Sequence, residues 1–371
     1  MAQQDDNDSS WSVVSQIKQS PPVDITKPYD TATLSGKSIL VTGGASGFGA
    51  AFARHWAARG AHIFIGDVND AAGEALVAEL RSSSSHHHAY FHCDVTSWSD
   101  QVSLFKSAIA ASPTKGIDCV VAGAGIVDVA NTFDTPQRGK GEDDAPVEPR
   151  LKVIDVNLKG VMYTTHLGLY YLPRNGTVGG GKDQARDRHI LMVSSVAGLM
   201  PLPSQTEYAA SKHGVMGLFR SLRGTSWTRG VRVNVINPYF VETPLFSAGG
   251  RVLLAGAPKG EVEDVVDAAT RLVADEGIVG RALVIGPKMR VVDGEDGYPK
   301  LDIEESQNGR TQAVWEVYGN DYERVETFLW RYIGLLNLIK SVYGWKKTAM
   351  DWWKIFRGSG QQQQQQQQKR K

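Results

Sequence analysis

The stretch that decides the fold is SILVTGGASGFGAAFARHWAARGAHIFIGDVND, residues 38–70. Short apolar runs at 38–41 and 62–65 have the length and composition of buried strands, and residues 50–59 read as a helix between them. A glycine-rich turn at 43–49 joins the first strand to this helix. A strand, a turn, a helix and a second strand within about 30 residues form the context in which a dinucleotide-binding loop occurs.

The glycine-rich turn has the spacing Thr42-Gly43-x-x-x-Gly47-x-Gly49. Glycines let the backbone turn tightly and approach a pyrophosphate without a Cβ in the way, and they let the helix pack close to the sheet. The N-terminus of the following helix offers unpaired amides and the positive end of its dipole. The turn therefore predicts a nucleotide cofactor.

Asp67 ends the second predicted strand, where a carboxylate can accept hydrogen bonds from the ribose hydroxyls of adenosine. The same charge repels a 2′-phosphate, and neither Ser46 nor Val68 supplies a cation that would bind one. The sequence therefore predicts NAD as the cofactor, and an NADPH-dependent carbonyl reductase is the alternative.

Apolar runs at 89–93 and 117–121 continue the pattern as further strands, followed by Asp94-Val95 and by the segment 122–125. In a doubly wound sheet the ligand lies outside the carboxyl ends of the strands, so both segments are expected to reach the cofactor. The expected fold is α/β, a Rossmann-type doubly wound parallel sheet in a single domain. The consecutive histidines 86–88 are read as a solvated loop, and no metal site is predicted.

A second motif, SSVAGLMPLPSQTEYAASK at 194–212, carries candidate catalytic groups. If a helix begins near Tyr208, Lys212 lies one turn later on the same face, and its charge is expected to favour the phenolate. A free tyrosine is ionised only about one part in a thousand at neutral pH, so a lower pKa supplies more base. Ser195 follows the apolar run 189–193, so we expect its hydroxyl to face the phenol and orient a substrate oxygen.

Residues 151–171 predict a long amphipathic helix that contains Asn157 among apolar residues. A buried amide must be hydrogen-bonded. Asn157 therefore either binds backbone or holds a water that links Lys212 to solvent, and the spacing does not decide between these two. The charged, proline-containing segment 128–150 before this helix is predicted to be a surface insertion near the substrate entrance.

These motifs together resemble the short-chain dehydrogenases/reductases over roughly residues 35–300. The segments that carry the resemblance are TGGASGFG (42–49), Asp67, CDVT (93–96), VNL (156–158), Ser195, YAASK (208–212) and NPYFVETP (237–244). Within that family the chain looks most similar to the NAD-dependent group that resembles 15-hydroxyprostaglandin dehydrogenase. The family also forms dimers or tetramers through the helices around Asn157 and Tyr208, which implies a homo-oligomer.

The resemblance implies a catalytic tetrad of Asn157, Ser195, Tyr208 and Lys212. In it Tyr208 is the general base, Ser195 orients the substrate, Lys212 also binds the nicotinamide ribose, and Asn157 holds a relay water. The implied cofactor contacts are Gly43, Ser46, Gly47, Phe48, Gly49, Asp67, Asp94, Val95, Gly123, Asn157, Tyr208, Lys212 and Thr243. Two segments depart from the family pattern: Ala122-Gly123 replaces a pair of asparagines, and Tyr239 replaces a glycine.

Composition excludes some other classes. The chain has 371 residues, 42% of them apolar, with Lys+Arg 40 against Asp+Glu 40, so no nucleic-acid partner is indicated. Its two cysteines lie in or beside apolar runs and suggest a reduced interior rather than disulfides. The N-terminus is acidic and lacks the pattern of a signal peptide, so a cytoplasmic location is expected.

The expected domain organisation is an N-terminal arm (1–34), the dehydrogenase domain (35–305), an aromatic and basic helical extension (306–358) and a disordered glutamine-rich tail (359–371). Within the extension, residues 313–357 combine Trp and Tyr with Lys and Arg, which is typical of a helix lying on a membrane surface. A helix over the substrate cleft and a subunit interface are the alternatives.

The sequence thus predicts an NAD-dependent oxidoreductase that acts on a secondary alcohol or the corresponding ketone. The substrate is expected to be apolar and similar to a lipid, a steroid or a polyketide. A non-catalytic, membrane-associated NAD-binding protein is the rival of a different class.

Overall fold

The computed structural model describes residues 18–127, 133, 145–175, 186–243, 256–294, 299–303 and 308–319, together with helical residues 331, 332, 335, 338, 339 and 342. The chain divides into two compact units. One unit is Lys18–Gly319, and the other combines Met1–Ile17 with Asn320–Lys371. The architecture below is that of Lys18–Gly319.

Within the described residues, nine strands form one sheet in the order β3-β2-β1-β4-β5-β6-β7-β8, with β9 also paired to β7. The strands are β1 (Ser38–Thr42), β2 (His62–Asp67), β3 (His88–His92), β4 (Cys119–Ala122), β5 (His189–Val193), β6 (Arg232–Pro238), β7 (Ala282–Asp293), β8 (Pro299–Leu301) and β9 (Arg310–Val317). Strands β1 to β7 pair in parallel, so their carboxyl ends share one edge. The predicted doubly wound fold is confirmed.

Helices cover both faces of this sheet. They are α1 (Gly47–Ala57), α2 (Asp70–Ser83), α3 (Trp98–Ala111), α4 (the consecutive segments Lys152–Ile154, Asp155–Gly160 and Val161–Tyr171), α5 (Thr206–Leu222) and α6 (Val262–Ala274). Helices α1, α2 and α6 bury apolar side chains against one face, and α3, α4 and α5 against the other. The predicted helix at 151–171 is present, with a π-helical segment over Asp155–Gly160.

Strand β7 is long, and its far end carries an antiparallel extension that the sequence did not predict. Residues 282–285 pair in parallel with β6. On the other side of β7, β9 pairs antiparallel with residues between 282 and 291, and β8 pairs with residues 291–293. The sequence predicted that an aromatic helical extension begins near residue 306, but Arg310–Val317 is a strand within the same compact unit as the dehydrogenase core. Trp315 pairs with Val284 across this ladder, so long-range pairing decides its structure.

The described part of the N-terminal arm, from residue 18 onward, packs on the core. The Val23 amide donates to the Glu316 carboxylate at 3.0 Å, and the Arg271 side chain donates to the Lys27 carbonyl at 2.7 Å. The Tyr29 hydroxyl donates to the Asp267 carboxylate at 2.8 Å. The arm is thus attached to both β9 and α6.

A buried ionic network lies at the amino ends of the strands. The Asp187 carboxylate accepts two hydrogen bonds from Arg232, at 2.8 and 2.7 Å, and one from Lys37 at 2.9 Å. The three side chains are 4 to 8% exposed. Burial alone would raise the pKa of Asp187, but the Arg232 and Lys37 charges hold it well below its usual range. This network lies at the edge opposite the glycine-rich turn.

Among the residues that the structure describes, no helix is long and apolar enough to cross a bilayer.

Candidate active site

The glycine-rich turn packs so tightly that side chains are excluded from it. A Cβ on Gly43, whose φ is +69°, would lie 2.5 Å from the Ala124 Cα. A Cβ on Gly49 would lie 2.3 Å from the Gly43 carbonyl oxygen. Ser46 is exposed at the N-terminus of α1. The turn therefore leaves backbone amides and one hydroxyl facing outward, which fits a pyrophosphate.

Thr243 comes close to this turn although it lies almost 200 residues further along the chain. A Cβ on Gly47, whose φ is +50°, would be 3.9 Å from the Thr243 Cβ. Thr243 follows β6 and therefore lies at the same carboxyl edge as the turn. The residues present fit a dinucleotide cofactor, because a glycine cradle, a helix N-terminus and a hydroxyl side chain converge there.

Asp67 ends β2 beside the turn. One oxygen of its carboxylate accepts a hydrogen bond from the Ala45 amide at 3.0 Å, and the other accepts one from the Asn69 amide at 3.1 Å. The acid is therefore fixed to the glycine-rich turn, an attachment that the sequence spacing did not indicate. Val68 directly after it is 59% exposed.

Three further residues that the sequence predicted as cofactor contacts, Asp94, Val95 and Phe48, contact neighbouring groups of the protein through their side chains. The Asp94 carboxylate accepts hydrogen bonds from the Thr96 amide and hydroxyl, each at 2.8 Å. The Val95 side chain is buried and packs on Gly160, so a ligand could reach only its backbone. The Phe48 ring stacks on Phe52 at 6.4 Å within α1.

The missing asparagines after β4 are compensated in part by Thr42. The Thr42 hydroxyl donates to the Val121 carbonyl and accepts from the Gly123 amide, both at 3.2 Å. A Cβ on Gly123 would lie 3.0 Å from the Thr42 carbonyl oxygen. Thr42 thus braces the loop after β4 against β1.

Asn157 binds backbone, which is one of the two alternatives that the sequence left open. Its Oδ1 accepts from the Ile126 amide at 2.8 Å, and its Nδ2 donates to the Ile126 carbonyl at 2.9 Å. Nδ2 also lies 3.3 Å from the Ser211 hydroxyl. Asn157 sits in the π-helical segment, a local widening that is frequent at functional sites.

Lys212 lies next to this asparagine and to the loop after β4. A Cβ on Gly125 would be 3.5 Å from the Asn157 Oδ1 and 3.7 Å from the Lys212 Nζ. The Lys212 ammonium donates to the Val193 carbonyl at 3.1 Å. Burial lowers the pKa of Lys212 to about 8. Gly125 ends the segment 122–125 that the sequence expected to reach the cofactor, although it was not itself predicted as a contact.

Tyr208 and Ser195 are the other two residues of the predicted tetrad. The Ser195 hydroxyl lies near enough to the Tyr208 phenol to lower the pKa of that phenol. It donates to the Pro238 carbonyl at 3.4 Å and accepts from the Ala197 amide at 3.2 Å. The sequence predicted a lowered pKa for Tyr208, but burial raises it, and Ser195 only partly offsets that effect. The reason is that desolvation penalises the phenolate, an effect set by packing rather than by the spacing to Lys212.

Tyr239, which replaces the family's glycine, is half-buried directly after β6. Its amide donates to the Ile285 carbonyl at 2.7 Å, and its ring meets Phe240 edge-on at 4.8 Å. The predicted surface insertion, apart from Phe133 and residues 145–150, lies outside the described residues, as does the stretch 244–255.

The prediction that residues 86–88 form a solvated loop is wrong for His88, which begins β3 and is buried. His62 of β2 accepts a hydrogen bond through Nδ1 from the His87 amide at 3.0 Å, and His88 of β3 accepts through Nδ1 from the Ile63 amide at 3.2 Å. In the described part of the chain, no group of three His, Cys, Asp or Glu side chains converges as a metal site would require.

Comparison with known proteins assigns the chain to a family. The sequence model of the family described as short chain dehydrogenase matches residues 37–250. The chain belongs to this family of oxidoreductases, whose members among its relatives are named dehydrogenases.

Three comparisons illustrate the relationship. The chain is 38% identical over 301 residues to 5'-hydroxyaverantin dehydrogenase of Dothistroma septosporum, covering 77% of this chain and 97% of the relative. It is 32% identical to the NADP-dependent dehydrogenase clz5 of Cochliobolus lunatus, covering 68% and 89%. The structure of 3-ketoacyl-(acyl-carrier-protein) reductase from Brucella melitensis complexed with NADH matches with a TM-score of 0.55 and 26% identity, covering 68% of this chain and 97% of that one.

Proposed function

We propose that this chain oxidises a secondary alcohol to a ketone with NAD, or catalyses the reverse reduction. The observation that carries the proposal is the convergence of Ser195, Tyr208 and Lys212 at the strand edge that also carries the glycine-rich turn and Asp67. NAD held by the glycine-rich turn and Asp67 would supply the acceptor for the hydride that leaves the carbinol carbon. The Tyr208 phenolate takes the hydroxyl proton, and Ser195 orients the oxygen by a hydrogen bond.

The remaining groups of the tetrad support that proton transfer. Lys212 lies buried beside Tyr208, so its ammonium stabilises a phenolate in a site from which water is largely excluded. The Asn157 side chain holds the loop after β4 through both backbone groups of Ile126. We therefore assign the Asn157 side chain a positioning role, and the predicted relay water stays a prediction.

The preference for NAD rests on Asp67. Its carboxylate is tied to the Ala45 amide of the turn, where a 2′-phosphate would meet a negative charge. The relative from Cochliobolus lunatus is named NADP-dependent, so the two cofactors must be compared directly. In steady-state kinetics, kcat/KM should be higher for NAD than for NADP, and Asp67→Ser should reduce the ratio of the two values. A preference of the unaltered enzyme for NADP would support the NADPH-dependent carbonyl reductase instead.

We further propose a large, apolar secondary alcohol of polyketide type as the substrate class. The name of the 5'-hydroxyaverantin dehydrogenase from Dothistroma septosporum supports this choice, as does the aromatic pair Tyr239 and Phe240 after β6. The resemblance to the 15-hydroxyprostaglandin dehydrogenase-like group leaves lipid alcohols as the second class. A panel of hydroxylated anthraquinones, steroids and hydroxy fatty acids, followed by NADH formation, tests the choice. Turnover confined to the fatty acids would overturn it.

A membrane surface is a second candidate partner. Leu335, Leu338, Ile339 and Val342 are helical and exposed. Their spacing, i, i+3, i+4 and i+7, would place them on one face of a single helix. Basic residues occur within and after this run in the sequence, at Lys340, Lys346 and Lys347. That combination is typical of a helix lying on an anionic lipid surface.

Flotation of the full-length protein with anionic and with neutral liposomes tests the lipid surface. We expect binding to the anionic liposomes, and its loss in Leu338→Glu. Ile303→Glu is the matched control, because Ile303 is an exposed apolar residue of the other compact unit. Equal flotation of Leu338→Glu and the unaltered protein would contradict the proposal.

Association of two or more copies through α4 and α5 is proposed from the family resemblance. Met162 and Tyr170 on α4 are exposed, so apolar surface is available there. Light scattering after size exclusion should give a dimer or tetramer that Met162→Glu converts to a monomer. A monomeric unaltered protein would contradict this association.

A further inference from the structure

The Tyr90 side chain of β3 contacts Asp67 and Asp70 and takes no part in the proposed chemistry. Its hydroxyl donates its single proton in a bifurcated hydrogen bond, to the Asp67 carbonyl oxygen at 2.8 Å and to a carboxylate oxygen of Asp70 at 2.5 Å. The same Asp70 oxygen lies 2.7 Å from the His92 Nδ1. The phenol therefore reaches across from β3 to the residue at which β2 ends and to the first turn of α2.

The ring of Tyr90 is held in this orientation by a glycine. A Cβ on Gly73 of α2 would lie 2.1 Å from the Tyr90 Cδ2, so only a glycine lets the ring lie this close to the helix. Gly73 is buried. A phenol placed here has its hydroxyl directed to the carboxyl end of β2, where it is half-buried rather than free in solvent.

Asp67 is thereby held at both its backbone and its side chain. Its carbonyl oxygen is approached by the Tyr90 hydroxyl and by the Cys93 amide at 2.9 Å, and its carboxylate by the amides of Ala45 and Asn69. The chain leaves the sheet immediately after Asp67. Without the phenol, the hydrogen bond from the Cys93 amide would be the only described contact of the Asp67 carbonyl oxygen.

We propose that Tyr90 is a positioning residue for cofactor binding, acting through the backbone of Asp67 to direct its carboxylate to the adenosine ribose. The inference rests on the proposed function, in which Asp67 binds that ribose. A carboxylate that must meet two ribose hydroxyls is sensitive to small rotations of its backbone, because hydrogen bonds weaken steeply as their angles depart from linearity. Tyr90 therefore affects the adenosine half of the cofactor and leaves the nicotinamide half unchanged.

The test compares ligands that carry one half of the cofactor each. Tyr90→Phe keeps the ring against Gly73 and removes the hydroxyl. Loss of one hydrogen bond should raise the Kd for ADP-ribose about two- to tenfold, and the KM for NAD similarly. The kcat at saturating NAD and the kcat/KM with nicotinamide mononucleotide, which lacks adenosine, should stay unchanged. Unaltered ADP-ribose affinity in Tyr90→Phe would overturn the inference.

The matched control is Tyr29→Phe, which removes another phenol-to-carboxylate hydrogen bond, the one to Asp267 of α6. It should alter stability comparably and leave the affinity for ADP-ribose unchanged. Equal weakening of ADP-ribose binding in the two variants would identify the Tyr90 effect as general destabilisation and contradict the inference.

A double-mutant cycle with Asp67→Ala separates this inference from the proposed function. If Tyr90 acts through Asp67, Tyr90→Phe should have no further effect on ADP-ribose affinity once Asp67 is alanine. If Asp67→Ala weakens ADP-ribose and the two effects add fully, the ribose contact stands and the role of Tyr90 is wrong. If Asp67→Ala leaves ADP-ribose binding unchanged, the ribose contact itself is wrong, and the role of Tyr90 is overturned with it.

Discussion

The Lys212 ammonium nitrogen lies 5.6 Å from the centre of the Tyr208 ring and donates a hydrogen bond to the Val193 carbonyl of β5. Both side chains are embedded at the carboxyl edge of the sheet, and burial disfavours the charged form of each. Burial therefore shifts the two pKa values in opposite directions. The Tyr208 phenol resists ionisation, and the Lys212 ammonium loses its proton more easily than usual.

This opposition predicts a pH dependence. Alcohol oxidation needs the phenolate together with the ammonium, and the pKa of Lys212 is about 8 while that of Tyr208 is raised. The kcat/KM for oxidation should rise about tenfold per pH unit below pH 8 and then level off, since the pair titrates as a unit. Lys212→Arg, which keeps its charge, should extend the rise to higher pH. A flat profile between pH 6 and 8 would contradict this arrangement.

Ser195→Ala should lower kcat about 100-fold, because it removes the hydroxyl that orients the reacting oxygen. The affinity for NAD should stay unchanged. Ser194→Ala is the matched control, since the neighbouring Ser194 hydroxyl donates to the Lys212 carbonyl of α5 at 3.1 Å and lies outside the proposed chemistry. Equal losses of kcat in the two variants would show that disturbance of the β5 end, and not the Ser195 hydroxyl, causes the effect.

Asp187→Ala should destabilise the protein by about 3–5 kcal/mol, because it leaves the buried Arg232 charge without a carboxylate and removes one of the two carboxylates that bind Lys37. Chemical denaturation measures this change. Glu79→Ala removes the partner of Arg54 from an ion pair that is about half exposed, and it should cost less than about 1 kcal/mol. Similar costs for the two variants would contradict the assignment of Asp187 to a buried network.

Stability should also fall between about pH 6.5 and pH 4 because of His62 and His88. Burial and neighbouring histidines lower the pKa of each to about 4, and each Nδ1 accepts a backbone amide, which only an unprotonated nitrogen can do. Between about pH 6.5 and pH 4 the unfolded chain therefore binds more protons than the folded chain. The contribution of these histidines to the free energy of unfolding is fully present above pH 6.5 and is lost as the pH falls. Thermal unfolding at pH 7 and pH 5 checks this.

A His88→Gln variant, which keeps a hydrogen-bonding side chain but does not titrate, should lose less stability on acidification than the unaltered protein. An equal loss in the two proteins would assign the acid sensitivity to other groups.

Much of the fold could be predicted from local patterns. The run from Ser38 to Asp67 contains two apolar strands, a glycine turn and a helix, and the structure forms them with boundaries that differ by at most three residues from those predicted. Such elements are predictable because burial on both faces requires continuous apolar runs. Residues 310–317 were predicted as part of a helical extension, since nothing in their composition indicates that they pair with β7, a partner about 30 residues earlier.

The site was less accessible to sequence reasoning wherever it depends on packing. The pKa of Tyr208 was predicted in the wrong direction because desolvation depends on how distant segments enclose the phenol. The approach of Thr243 to Gly47 and the pairing of Asn157 with Ile126 join segments that are far apart in the sequence or separated by an insertion. The role inferred for Tyr90 depends on Gly73, a glycine inside a helix that carries no motif.

The most direct test of the proposed chemistry is the turnover of Tyr208→Phe, followed as NADH formation from a secondary alcohol that the unaltered enzyme oxidises. We predict that turnover falls about a thousandfold, because the only group removed is the hydroxyl that takes the substrate proton, and that the Kd for NAD stays the same. A Tyr208→Phe enzyme that binds NAD normally and keeps the unaltered rate would contradict the account.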